Sequence, residues 1–167
     1  LIAAVLAAGA ANAAPLKAKT CVDCHSDLGA EVGRRNAHEP FAKQDCEACH
    51  QRHGVIGKLV LKRQGNALCF ECHKDVETEL EQPVRHAPLR GLGCTGCHDA
   101  HGSGEAGLLS AKGAESCYAC HDRTAFERKR VHKPVKDQGC AACHAPHASA
   151  EAGLLRLPVD QLCKSCH

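Results

Sequence analysis

Seven times in 167 residues the chain writes Cys-x-x-Cys-His, and no cysteine is left over. The pairs are Cys21 with Cys24, Cys46 with Cys49, Cys69 with Cys72, Cys94 with Cys97, Cys117 with Cys120, Cys140 with Cys143, and Cys163 with Cys166. Each motif closes on a histidine: His25, His50, His73, His98, His121, His144 or His167. Cys-x-x-Cys pairs also hold structural zinc, but such a site draws four ligands from two separated pairs and has no need for His after every second Cys. A disulfide framework would use fourteen cysteines equally well and leaves the seven histidines without a reason. The pattern that needs every residue of the motif is covalent attachment of haem, with two thioethers and an adjacent imidazole for the iron. Seven such groups in so short a chain dominate whatever it folds into.

The rest of the composition agrees. The chain has no Trp, no Met, one Tyr and three Phe (Phe41, Phe70 and Phe126), and much of its 44% apolar content is Ala and Cys. So few large side chains cannot offset the entropy of ordering the backbone. The porphyrins must supply the apolar interior, one for about 22 residues across residues 14–167. The polypeptide carries +2 at pH 7, and two propionates on each of seven haems would take the loaded protein to about −12. That balance and the scarcity of aromatic side chains argue against nucleic-acid binding.

The first residues, LIAAVLAAGAANAAP, combine an apolar run with a small-residue cleavage site at Ala11-Asn12-Ala13. They are expected to form a secretory signal peptide over residues 1–13, lacking its charged start. Nothing else approaches the ~20 apolar residues of a membrane span. The protein is therefore expected to be exported, periplasmic or extracellular, and not transmembrane.

Beneath the motif spacing lies a longer period. His38, His86 and His132 each open a His-x-Pro-apolar stretch ahead of a motif, and that motif is followed three residues on by His53, His101 or His147. An apolar segment comes next, and a second motif ends the module. The expected organisation is a single-haem leader at 14–37 and two-haem modules at 38–85, 86–131 and 132–167, stacked as an array. The expected fold is mostly coil with short α-helices, little or no sheet, a haem-packed core and an elongated run of modules. Short helices are predicted over Asn66 to Cys72, Asp75 to Glu81, Glu115 to Cys120 and Val159 to Cys166. Proline two residues after each upstream histidine is expected to disfavour a helix there.

The motif histidine fills one axial position of an iron, and the protein chooses the other. With no Met, the candidates for the second position are His38, His53, His86, His101, His132 and His147. His53, His101 and His147 lie too close to their own motif to reach its opposite face, so each is expected to serve a neighbouring haem. Six histidines cannot serve seven irons. If modules are self-contained, the leader haem at Cys21 and Cys24 lacks a partner. If each upstream histidine serves the haem before it, the haem at Cys163 and Cys166 lacks one, and this second assignment is preferred.

The doubled arrangement, Cys-x-x-Cys-His-x-x-His followed by Leu-Leu and a second Cys-x-x-Cys-His, resembles the doubled-motif multihaem c-type cytochromes of the periplasmic NrfB, MtrA and DmsE types. The resemblance implies bis-histidine low-spin haems in a closely spaced chain. It also implies electron relay from a quinol-oxidising membrane cytochrome to a terminal reductase or an outer-membrane conduit, with no catalytic residues. A reductase of a small nitrogen or sulfur oxyanion, using one open iron, is the main competing expectation. Self-association into an extracellular cytochrome filament is a third.

Overall fold

The computed structural model describes residues 18–52 and 60–167. The expected signal peptide, 1–13, and His53 lie outside the described residues. The chain divides into two units, Leu1–Ala30 and Glu31–His167. The first carries a 3-10 turn at Cys21–Asp23, and a helix at Ser26–Glu31 begins within it.

In the second unit every element is short. Helices occupy Asn66–Cys69, Lys74–Glu79, Glu115–Tyr118 and Val159–Lys164, close to the four predicted segments. Three more form where proline was expected to prevent them: Glu39–Ala42, Pro88–Gly91 and Lys133–Gln138. In each the proline falls at the first or second helical position, where the missing N–H has no intrahelical acceptor to lose and φ is already set for a helix. The upstream histidine or its neighbour occupies the cap position, so proline here starts a helix.

Two small antiparallel sheets join residues far apart in sequence. Asn36–Ala37 pairs with Gly102–Ser103, and Val84–Arg85 pairs with Ala148–Ser149. Each ladder is extended by one bond, from the His38 N–H to the His101 carbonyl (2.9 Å) and from the His86 N–H to the His147 carbonyl (2.8 Å). A third device repeats inside the modules. The backbone at the motif histidine bridges to the apolar segment, His50 to Leu61, His98 to Leu109 and His144 to Leu155. The Leu-Leu segments therefore fasten a backbone hairpin to the motif.

The polypeptide encloses almost nothing. Among the described residues, Ala148 is the one buried hydrophobic side chain, and Ser149 the one buried polar side chain. Leu92 and Val159 are more than 60% exposed. Among the described residues no helix is long and apolar enough to cross a membrane. Without added apolar mass such a chain cannot hold its ordered form. Haem-free protein should show no cooperative transition in urea when followed by far-ultraviolet circular dichroism, whereas loaded protein should show one.

The ladder itself has a point of tight approach. At Gly102 φ is +145°, and a Cβ there would stand 2.7 Å from both the Ala37 Cα and the Asn36 carbonyl oxygen. Gly102→Val should prise the strands apart and lower the haem-to-protein ratio of purified material severalfold. Gly91→Ala, where a Cβ meets nothing within 4 Å, should leave it unchanged.

Candidate haem sites

All seven motifs adopt one local geometry. The histidine N–H donates to the carbonyl of the first cysteine at 2.9 or 3.0 Å, and the N–H of the second cysteine donates to the same carbonyl at 3.1 to 3.3 Å. The motif is thus a single helical turn, in which positions i, i+3 and i+4 share one face. Both thiols and the imidazole project to the same side, as attachment at one porphyrin edge requires.

The sequence treats the fourteen cysteines alike, and the structure separates them. Cys21, Cys24, Cys72, Cys120, Cys163 and Cys166 are exposed, while Cys46, Cys49, Cys69, Cys94, Cys97, Cys117, Cys140 and Cys143 are half-buried. In the first motif of each module the second cysteine is also strapped by its main chain. The carbonyls of Cys49, Cys97 and Cys143 accept the N–H groups of Lys62 (2.9 Å), Ser110 (2.8 Å) and Arg156 (2.9 Å) on the returning arm of the hairpin. Among the described residues Cys24 has no such strap. Its turn is held from the other end, where the Thr20 N–H and hydroxyl donate to the Asp23 carboxylate at 2.6 and 2.9 Å. The leader motif therefore has the same attachment geometry without the hairpin of the modules.

Five of the motif histidines face a second imidazole. His38 faces His73, His86 faces His121 and His132 faces His167, with ring centres 6.0, 6.1 and 6.0 Å apart and planes within 18°. His50 faces His101 and His98 faces His147, both at 6.1 Å, with planes inclined by 35° and 45°. Metal–imidazole bonds of about 2 Å place two rings on opposite sides of one metal with centres about 6 Å apart. The five spacings agree to within 0.1 Å although different elements supply the rings. That uniform spacing is the one that two imidazoles sharing a metal would have.

Hydrogen bonds turn the ligating nitrogen inward. The Nδ1–H of His98 donates to the Gly107 carbonyl (2.6 Å), that of His144 to Gly153 (2.8 Å) and that of His38 to Ala100 (2.9 Å). Fixing Nδ1 as a donor leaves Nε2 as the nitrogen available to a metal. The two glycine carbonyls are aimed by the left-handed conformations of Gly107 and Gly153 (φ 65° and 67°) at the hairpin tips. Burial, and secondarily the His101 ring, holds the His50 imidazole below its usual pKa, which favours the neutral, metal-binding form.

The pairing differs from both expectations. Each upstream histidine faces the second motif of its own module, not the motif before it as the preferred assignment expected, and His167 has His132 opposite. The histidines three residues beyond a motif reach back one module instead, His101 to His50 and His147 to His98. The ladders cause this split, because they put His38 beside His101 and His86 beside His147 while the two rings of each couple diverge. Among the described residues no imidazole faces His144, which closes the motif of Cys140 and Cys143, a position that neither assignment singled out. His53, the remaining candidate, lies outside the described residues.

Successive motifs are close. Burial and the neighbouring Cys94 thiol push the Cys69 thiol up to about 11. Cys117 is raised by burial and then by Cys140 and Cys97, and Cys49 by burial and then by Cys69 and Cys72. The motifs from Cys46 to Cys140 therefore form an unbroken run of mutually interacting attachment points. Asn66 ties one junction, its side chain accepting from the Cys94 N–H (3.0 Å) and donating to the Leu89 carbonyl (3.2 Å). A cleft of about 330 Å³ beside His86 is lined by Phe70, Leu80 and Leu89, together with two cations, Arg85 and Arg90, and two carboxylates, Glu77 and Glu81. Neither arginine has an ion-pair partner among the described residues. The apolar walls beside His86 suit a porphyrin face, and the two arginines could meet its propionates.

Several of these contributors could not be found from the sequence. Asn66 has no motif, and the carbonyls of Gly107 and Gly153 are backbone groups that any residue carries. Only the repeated Glu-Ala-Gly-Leu-Leu marked the latter segments as significant.

A search of curated proteins returns no match. The family described as "Doubled CXXCH motif" matches the chain three times, over residues 38–78, 86–126 and 132–167. Each match opens at an upstream histidine and takes in two motifs, so six of the seven are covered and the motif of Cys21 and Cys24 stands outside them. With paired Cys-x-x-Cys-His turns, facing imidazoles and a family match over well more than half its length, the chain belongs to the doubled CXXCH motif family of multihaem c-type cytochromes, which bind haem c covalently and work in electron transfer.

Proposed function

We propose that the protein is an exported heptahaem cytochrome that passes single electrons along its length, between a quinol-oxidising membrane cytochrome and a terminal reductase or outer-membrane conduit. When bound, haem c supplies the reversible one-electron iron couple. The fourteen motif cysteines anchor the porphyrins and the seven motif histidines bind the irons from one side. His38, His86, His101, His132 and His147 bind from the other, and His53, at the same offset as His101 and His147, takes the same role.

The observation that carries this reading is the run of five equally spaced imidazole pairs. Two imidazoles saturate an iron and leave no position for a substrate, which suits electron exchange and not bond chemistry. In four of the five pairs a main-chain ladder bond adjoins one imidazole while a motif turn carries the other, which would limit rearrangement when the iron changes oxidation state.

The pairing has a direct test in purified, fully loaded protein. His132→Ala and His167→Ala should each convert one haem from low to high spin, and the double variant should still lose only one low-spin signal, because both act on one iron. His132→Ala combined with His121→Ala should lose two. Equal losses in both double variants would sink the assignment.

One observation favours a second reading, in which an open iron reduces a small oxyanion: no described imidazole faces His144, so the haem of Cys140 and Cys143 is where such an iron would sit. Mass spectrometry for seven added haems, followed by ferric spectra with cyanide and with nitrite, separates the two. The relay reading expects seven haems, low-spin iron at the paired sites and no nitrite turnover. Steady nitrite reduction with an artificial donor would favour the enzyme.

A further inference from the structure

Of the four imidazole hydrogen bonds resolved at Nδ1, three end on backbone carbonyls. The fourth does not. His147 directs its Nδ1 at the Glu79 carboxylate, 3.1 Å from Oε2. Glu79 ends the helix Lys74–Glu79 that follows the Cys69 motif. An anion there lies at the unfavourable end of the helix dipole, and the His147 imidazole is the partner it meets.

Glutamate recurs at this offset, six residues after a motif histidine, as Glu31, Glu79 and Glu127. Glu31 is taken up by Arg34 at 2.8 Å, and Glu127 by Arg123 at 3.6 Å. The corresponding positions around Glu79 carry Gln82, three residues on, and Asp75, four residues back. No described arginine competes for Glu79, and its carboxylate is left for the imidazole. The equivalent ring one module earlier, His101, lies against Phe41 at 4.8 Å and has no carboxylate on it among the described residues.

We infer that Glu79 tunes the haem attached at Cys94 and Cys97, lowering its reduction potential below that of the equivalent haem at Cys46 and Cys49. This rests on the assignment of His98 and His147 as the two ligands of that iron. An N–H donated to a carboxylate gives the imidazole partial imidazolate character and makes it a stronger donor to ferric iron. The fixed negative charge adds to the effect by favouring the more positive oxidation state. Both contributions act in one direction, so this site gives up its electron before its counterpart does. Glu79 touches a ligand and not the iron, and is a positioning and tuning residue.

Glu79→Gln in the full-length, haem-loaded protein is the test, read by potentiometric titration of the visible spectrum and by ferric electron paramagnetic resonance. One component should move to higher potential, and one low-spin signal should move to a larger maximum g value, as expected for loss of imidazolate character. Glu79→Asp should keep most of the original potential. Glu127→Gln, whose carboxylate is engaged by arginine, should change neither readout. Superimposable titrations and spectra for wild type and Glu79→Gln would overturn the inference. So would a new high-spin iron in that variant, which would mean that Glu79 only holds the ring in place. His147→Ala distinguishes failure of the underlying assignment: should all irons stay low-spin in it, the ligation is wrong and the tuning falls with it. If His147→Ala creates one high-spin iron and Glu79→Gln changes nothing, the ligation stands and the tuning alone is lost.

Discussion

The main-chain bond from His38 to His101, repeated from His86 to His147, is the contact on which the arrangement of sites depends. In each case two adjacent backbones present two imidazoles, one turned to the second motif of its own module and the other to the first motif of the same module from across the ladder. A single hydrogen-bonded couple thus supplies one imidazole to each of two facing pairs. Their separation is set by the width of a strand pair, a fixed dimension of protein structure, and not by the reach of flexible side chains. Loss of the ladder would release both sites at once, which is why two residues of strand per side suffice to matter.

The surrounding polypeptide contributes little enclosure of its own. With Ala148 the one buried hydrophobic residue described, bound porphyrins and metal–ligand bonds would supply the folding free energy that the polypeptide lacks. This explains why helices of four to six residues, each far too short to persist alone, can coexist in one chain. It also explains the economy of the sequence. Among the described residues between motifs, proline-started helical turns follow or adjoin the upstream histidines, and glycine-tipped hairpins adjoin His98 and His144.

Much of this is legible in the sequence. The Cys-x-x-Cys-His turns, the paired period and the set of facing histidines are local patterns, and local patterns survive in sequence. So are the helices at Asn66, Lys74, Glu115 and Val159, which lie next to or run into the motif turns. Proline at residues 40, 88 and 134 misleads because it is read as a breaker unless its place within the turn is known. The different settings of Cys24 and Cys143 are equally hidden, since identical motifs say nothing of the hairpin that straps one and not the other. The pairing itself is out of reach. His38 and His73 are separated by 35 residues and His50 and His101 by 51, and chain spacing alone does not say which of several equivalent motifs a histidine meets. That choice is made by ladders two residues long, whose sequences, Asn-Ala with Gly-Ser and Val-Arg with Ala-Ser, carry no strand signal.

Those dissimilar ladders share one register, which separates two duties within the molecule. Main-chain groups fix where the sites stand, so residue identity there is nearly free provided that nothing bulky replaces Gly102. Side chains then make otherwise equivalent sites unequal: Phe41 against His101, Glu79 on His147, Asn66 across a single junction. A relay built from identical sites would have a flat free-energy profile and no preferred direction for an electron. On the proposed relay reading, repetition of the backbone would bring the sites together, and departure from repetition in a few side chains would supply the gradient.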